Sequence, residues 1–372
     1  MQAAEIRTFL DTAARFAKKE IAPMVGTEGR DGRLEKLPAL MDSAADIGLL
    51  ASPDPKSAGY DYGVWGRASL SEGPGLSVGI LQEVAASCAG VAACMHFAGL
   101  GAAELEQPAK AAKTVAVALF EDSWRLETAA LNSPPPFCLR ISHEENKIIL
   151  TGEKSLAPAA PDCNGYVVYG SGNSGWERVF VPAGAAGLSI IDSGLRTGLA
   201  ALKVASLNFD RVALAADYGL PGRDPSAFLR RLFLGLTAIA AGNADAAVCE
   251  AVAYAKDRYQ GKTKIINHAA VQILLGDAAS RVSAAKAHLA AVCEQDRDDA
   301  SSLFRAAAAK LRVTLDCWQA VTDSLQTLGG YGYMEDYRLE KRLRDAMSLK
   351  VMAVRPDDLR MFCAGFKAGE GQ

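Results

Sequence analysis

The sequence predicts a mainly α-helical protein with a β-rich middle. An N-terminal helical domain (1–112) precedes a small β-barrel or sandwich (113–220), and a C-terminal four-helix bundle (221–372) follows. Three observations carry this prediction. Apolar residues recur at helical spacing at both ends of the chain. Short β-like runs parted by turn signals fill the middle. The texture changes at about Lys113 and again at Leu220-Pro221-Gly222 and Pro225.

Ile6, Phe9, Leu10, Ala13, Phe16 and Ala17 share one helical face, with Arg7, Asp11, Arg15, Lys18 and Lys19 between them. Ile21-Ala22-Pro23 is expected to close that helix, because proline cannot continue the hydrogen-bond ladder. A second helix is expected over Leu37–Leu50, then a loop rich in Gly, Pro and Asp up to about Gly75. From Leu76 to Leu105 the chain is almost all Ala, Val, Leu and Gly. A helix apolar all round belongs in the middle of a bundle.

The β-like runs are Val115–Phe120, Phe137–Ile141, Lys147–Leu150, Tyr166–Tyr169, Val179–Val181, Leu188–Ile191 and Ser206–Leu214. Pro134-Pro135-Pro136, Glu144-Glu145-Asn146 and Gly170–Gly175 are turn signals between them. Such a spacing of short strands suits a small barrel or sandwich. Helical periods then return over Phe228–Tyr259, His268–Cys293 and Ala300–Leu328, the pattern of a helical bundle.

Gly170-Ser171-Gly172-Asn173-Ser174-Gly175 fits the dinucleotide fingerprint, which requires a helix to open at its last glycine. Trp176 to Val181 reads as a strand instead, so the segment is expected to be a hairpin turn.

Half the residues are hydrophobic and 22% are charged, the profile of an ordinary globular protein. A net charge of −3 with no long basic run argues against nucleic acid and anionic membrane as partners. The eight cysteines form no C-x-x-C pair, which points to buried thiols in a reducing compartment and to no metal site. No apolar run is expected to span a membrane, and the first residues enter an amphipathic pattern directly. A cytoplasmic protein without a leader is the expectation.

Several segments, in order, resemble the acyl-CoA dehydrogenase family. The most specific is Gln326-Thr327-Leu328-Gly329-Gly330-Tyr331-Gly332-Tyr333, followed by Tyr337, Glu340-Lys341 and Arg344-Asp345-Ala346. Tyr254-Ala255-Lys256-Asp257-Arg258 with Ile265 to Gln272 is similar to a second family block. Leu150-Thr151-Gly152-Glu153-Lys154, Tyr166-Val167-Val168, Gly187-Leu188 and Leu207 to Val212 resemble the family's β-domain, and Phe16-Ala17, Pro23 and Gly48-Leu49-Leu50 also fit.

The resemblance implies an oxidoreductase of fatty-acid type metabolism that desaturates an acyl-CoA thioester with FAD and passes electrons to an electron-transferring flavoprotein. That reaction needs a carboxylate at the α-proton, in a dry site that raises its pKa. The family's usual base lies nine residues after the Arg of Arg-Asp-Ala, and here that position is Ala353. Its alternative position, at the start of the first C-terminal helix, is Leu232. Neither is an acid. The family's Thr-Glu-Pro-Gly loop reads Leu119-Phe120-Glu121-Asp122-Ser123-Trp124, and its Trp-Ile-Thr reads Leu156-Ala157-Pro158. Pro158 has no N–H to give a flavin edge.

Arg258, Gln326, Gly329 and Gly330 match positions that, by the same resemblance, reach the adenine–pyrophosphate half of an FAD seated mainly in a neighbouring subunit. An Arg fork suits phosphate oxygens and glycine admits close approach of backbone. The family's Phe three residues after the Arg is Gly261, and its Gln is missing at Ala269. The pattern implies a partner chain, in a hetero- or homotetramer, that completes FAD sites whose base and ring contacts lie on a sister acyl-CoA dehydrogenase subunit.

Blander readings stand beside these. Arg258 could pair with Asp257, and Gly329-Gly330 could be only a helix cap. Tyr331, Tyr333 and Tyr337 would then pack against the glycine turn. His96, where the family lines the floor of the acyl pocket, is more often a hydrogen-bonded core residue than a substitute acid–base group. Glu121 and Asp122 are the other candidate bases. Two alternatives use the same residues: a homo-oligomeric flavoenzyme performing elimination or desulfination with His96 or Glu121, and a scaffold that binds no flavin.

Overall fold

A computed structural model describes residues 3–25, 35–52, 56–105, 114–121, 124–126, 139–158, 163–173, 175–194, 196–222, 224–297 and 299–369. The expected boundary at 112/113, the triple proline and the candidate base Asp122 lie outside the described residues.

The first helix, α1 (Ala3–Phe16), does not close at Pro23. It passes through a π turn (Ala17–Ile21), where the Ala22 N–H reaches the Ala17 carbonyl, into α2 (Ala22–Val25). Pro23 can donate nothing to the preceding turn, and the wider π turn re-registers the helix so that the chain continues past it. Next comes α3 (Leu37–Asp46), which stops just before Gly48 at φ 75°, a left-handed conformation that favours glycine. The expected loop before Gly75 holds two short helices, α4 (Ala58–Tyr62) and α5 (Arg67–Ser71). The apolar run thought to be one helix is two, α6 (Gly75–Ser87) and α7 (Ala89–Glu104), parted at the extended Cys88. Nine consecutive residues of α7, Ala89–Phe97, are buried, as its apolar circumference requires.

Eight strands form one sheet: β1 (Val115–Ala118), β2 (Arg140–Glu144), β3 (Lys147–Pro158), β4 (Gly165–Gly172), β5 (Gly175–Pro182), β6 (Leu188–Asp192), β7 (Val204–Ala215) and β8 (Gly219–Leu220). Their order is β6-β7-β3-β2-β4-β5-β8, with β1 parallel beside β4. The period of two is visible in β4. Tyr166 and Val168 enter the sheet's own core with Leu150, Leu207 and Phe209, whereas Val167 and Tyr169 join the helical core. Gly172 pairs with Gly175, so the glycine-rich segment is the expected hairpin turn.

The long central helix is α8 (Ser226–Asp257), followed by a small hairpin of β9 (Tyr259–Gln260) and β10 (Thr263–Lys264), then α9 (Ala269–Glu294) and α10 (Ala300–Thr327). Two helices absent from the sequence reading complete the chain, α11 (Leu339–Val351) and α12 (Pro356–Ala368). Contrary to expectation, α8 is long and apolar enough to cross a membrane by composition. It is instead the core helix of the bundle, with 83% of its most apolar window buried inside the protein. Gly242 lets α8 approach α6 closely, since a Cβ there would lie 2.2 Å from the Gln82 carbonyl oxygen.

A buried ion cluster ties the helices to the sheet. The Glu104 carboxylate, at the end of α7, accepts from Tyr169 Oη at 2.6 Å and Arg178 Nη1 at 2.7 Å, and also from Arg231 on α8. Arg178 further donates to the Pro221 and Gly222 carbonyls, where the sheet gives way to α8. Burial, reinforced by the Glu104 charge, pushes the Tyr169 phenol well above its ordinary pKa. Removing one partner of a buried pair leaves uncompensated charge, at a cost of about 3–5 kcal/mol. Glu104→Ala is therefore expected to lower unfolding free energy in urea by about that amount. A change below about 1 kcal/mol, as for an exposed pair, would refute this role.

Candidate functional site

At the C-terminal end of α8 the Arg258 N–H closes on the Tyr254 carbonyl, and the Arg258 carbonyl accepts from Ile265, turning the chain into the β9–β10 hairpin. This fixes the Arg258 backbone. Its side chain does not pair with Asp257. The guanidinium lies over the Tyr331 ring, 5.3 Å from the centroid, and no carboxylate or carbonyl among the described residues accepts from it. The adjacent turn after α10 presents Gly329 at φ 57° and Gly330, and a Cβ at either would meet no atom within 4 Å. Gln326, in the last turn of α10, is exposed beside them. The structure thus gathers all four expected cofactor residues at one end of the bundle, on open surface. The sequence pattern did not show the aromatic support: Tyr331 packs with Tyr337 at 5.4 Å and Tyr254 at 6.4 Å between centroids.

The first of the two expected base positions, Ala353, lies between α11 and α12 in a left-handed conformation, φ 66°. An L-residue with a side chain is strained there. The turn is closed by the Val354 N–H on the Met352 carbonyl and held from below by Lys310 Nζ, 3.2 Å from the Val354 carbonyl oxygen. Lys310 has no accessible surface and no carboxylate partner among the described residues, and burial pushes its amine down to about 7. Sequence reasoning missed this lysine, because a single Lys in an Ala-rich helix carries no local signal of burial.

The second position, Leu232, is fully buried on α8 and offers no acid. His96 on α7 comes to the same place: its imidazole packs on Gly235, where a Cβ would lie 2.1 Å from Cε1. Trp65 Nε1–H donates to His96 Nδ1 at 2.8 Å, so the ring's proton sits on Nε2, which faces the Leu232 carbonyl without reaching hydrogen-bond geometry. Burial drives the imidazole down to about 3, with the Leu232 carbonyl opposing. With its one acceptor lone pair already taken and the cation disfavoured, His96 is a core hydrogen-bond acceptor, not a proton acceptor.

Glu121, the other candidate base, is also engaged. Its carboxylate forms a buried ion pair with Lys154 at 2.5 Å, and Lys154 additionally donates to the Leu119 carbonyl at 3.1 Å. The pair anchors the turn after β1, where Phe120 and Trp124 meet edge-on at 5.1 Å. Pro158 ends β3, buried, and Leu156 is 53% exposed.

The profile of the acyl-CoA dehydrogenase C-terminal domain matches residues 229–353. Cyclohexane-1-carbonyl-CoA dehydrogenase of Geobacter metallireducens is 24% identical, with the alignment covering 92% of each chain. Along its length the chain is similar to the acyl-CoA dehydrogenase family. Other relatives align over about half of their length, among them the NADH-dependent acryloyl-CoA reductase of Anaerotignum propionicum, 30% identical over 55% of each chain. The fold is that of butyryl-CoA dehydrogenase from Megasphaera elsdenii, with a TM-score of 0.84 at 20% identity over 99% of both chains. Members of the acyl-CoA dehydrogenase family bind FAD. The residues here fit that group unevenly. The uncommitted Arg258 and the open Gly329–Gly330 turn suit its diphosphate, while Phe120 and Pro158 give its ring nothing to bond.

Two titrations follow from the buried bases. Unfolded His takes a proton below about pH 6.5, whereas folded His96 resists until about 3. Stability should fall as pH drops across that window, by up to about 1.4 kcal/mol per unit, and His96→Gln should flatten the slope in acid-denaturation curves. Lys310 acts at the other end. Above about pH 7 the folded amine sheds a proton that the unfolded chain keeps to about 10.4, so stability should rise with pH there. Lys310→Met should remove that rise in urea melts, and an unchanged slope would count against a buried, uncompensated amine.

Proposed function

We propose that this chain is the non-catalytic partner in a heteromeric, FAD-dependent acyl-CoA dehydrogenase, completing cofactor sites whose base and flavin-ring contacts lie on a sister subunit. The observation that carries the reading is the Arg258 guanidinium, held by an aromatic face instead of a carboxylate and presented on the outside of the bundle beside two unobstructed glycines. An anion meeting it comes from outside the chain. Arg258, Gln326, Gly329 and Gly330 would hold the diphosphate side of FAD in trans, with the Arg fork pairing two phosphate oxygens. The bound flavin supplies the hydride acceptor for desaturating an acyl-CoA thioester. This chain adds binding and orientation, but no proton abstraction, because Ala353 and Leu232 carry no acid.

Tetrameric assembly with the sister chain and transfer of electrons to an electron-transferring flavoprotein complete the reading. A relative is named as a subunit of the caffeyl-CoA reductase–Etf complex of Acetobacterium woodii, 26% identical over about half of each chain. The elimination or desulfination reading has less support, since His96 and Glu121 are both committed inside the fold. A scaffold without cofactor would have no use for an unpaired, presented arginine.

Visible spectra of the chain alone, of its sister chain and of the co-purified pair test the proposal. Flavin is expected at full occupancy only in the pair, and Arg258→Ala should weaken its retention about 10- to 100-fold, the loss of charge-assisted hydrogen bonds. Ala353→Glu should not create desaturase activity in the isolated chain, because the ring contacts at Phe120 and Pro158 are still missing. A stoichiometric flavin and turnover in this chain by itself would overturn the assignment.

A further inference from the structure

We propose that Tyr331 is a positioning residue: its ring, braced by Tyr254 and Tyr337, holds the Arg258 guanidinium in place for an incoming diphosphate. This deepens the partner reading and rests on it.

Most other arginines among the described residues are held by acceptors, Arg7 and Arg140 excepted. Arg342 is fixed by Glu250 and Asn243, Arg344 by Glu340, Arg355 by Asp358, Arg312 by Asp316, and Arg178 and Arg231 share Glu104. Arg67 lies over the Tyr60 ring but also donates to its hydroxyl. Arg258 has only the ring face of Tyr331. The difference is chemical. A carboxylate would occupy the fork and neutralise it, whereas a ring face attracts the cation from one side and leaves the N–H edge free.

The ring is itself supported. Tyr331 is 42% exposed and would swing freely on its own, but Tyr337 packs against it at 5.4 Å and Tyr254 at 6.4 Å. Tyr254 and Tyr337 meet edge-on at 90° and 5.9 Å, so the three rings form one stand. Tyr254 belongs to α8, one turn before Arg258, and Tyr331 follows the two glycines directly. The stand therefore joins the arginine to the glycine turn that would share its ligand. An arginine ordered before binding loses less rotamer freedom on contact, which raises affinity without adding a bond to the ligand. Tyr333, 86% exposed, takes no part in the stand.

The test titrates ADP, as the diphosphate probe, into the full-length chain by ligand-observed NMR, with melting temperature as a folding control. Tyr331→Phe keeps the ring face and should bind within about twofold of the parent. Tyr331→Leu should bind about 2- to 5-fold more weakly, the size of an exposed cation–π contact. Arg258→Ala should weaken binding about tenfold or more, and Tyr331→Leu added to it should cost nothing further, because the tyrosine acts through the arginine. If Arg258→Ala weakens ADP while Tyr331→Leu does not, or if the two losses simply add, the positioning role falls and the partner reading stands. If the parent chain does not bind ADP, or Arg258→Ala binds as well as the parent, the positioning role falls, while the partner reading is decided by the flavin content of the co-purified pair.

Discussion

The Glu104 carboxylate is the contact on which the arrangement of this molecule depends. It is buried where α7, the sheet and the start of α8 meet, and it accepts from three donors: Tyr169 and Arg178 of the sheet and Arg231 of α8. Burying a carboxylate is unfavourable until its lone pairs are filled, so the cluster is stable only when all three elements are in place. Hydrophobic contact alone tolerates sliding. A charge that must find two guanidinium groups and a phenol tolerates very little. Arg178 then reaches on to Pro221 and Gly222, setting the point from which α8 departs.

From that anchor α8 runs through the centre of the bundle and delivers two sets of residues to different surroundings. Near its start, Leu232 and Gly235 face the closed seam with His96, where no accessible surface remains and ionisation is penalised. At its far end Arg258 emerges into solvent beside the glycine turn. Buried polar groups on this chain are committed to each other, Glu121 to Lys154 and His96 to Trp65. Arg258, on the surface, is committed to no acceptor among the described residues. A division of labour with a second chain is the arrangement such a distribution suits, since reactive chemistry needs a dry interior site with an available acid or base and a trans contact needs an outward one.

Much of the fold was legible in the sequence. The three long C-terminal helices and most strands between Val115 and Ala215 appear close to their expected limits, because period 3.6 and period 2 are local properties of the chain. However, β3 runs on to Pro158 where Leu150 was expected to end it, and β2 spans Arg140–Glu144 instead of Phe137–Ile141. Breaks were harder. Cys88 divides an unbroken apolar run, and Pro23 fails to end a helix, since both outcomes depend on what packs around the backbone. The amphipathic helices α11 and α12 follow a Gly- and Tyr-rich turn, and went unread for lack of a long apolar stripe.

For the candidate site, sequence alone determined what is present or missing: an alanine and a leucine where an acid would stand, a proline where an N–H would be, and an Arg, a Gln and two glycines at matching places. Those are facts of residue identity, and no folding can change them. Tertiary structure decided how each surviving group is employed. It buried Glu121 against Lys154, turned His96 into an acceptor for Trp65, sealed Lys310 under the Val354 carbonyl and left Arg258 resting on a tyrosine ring. Charge state, partner and accessibility arise from contacts between residues far apart in the chain, which is why they could be known only once α7, α8, α10 and the sheet were brought together.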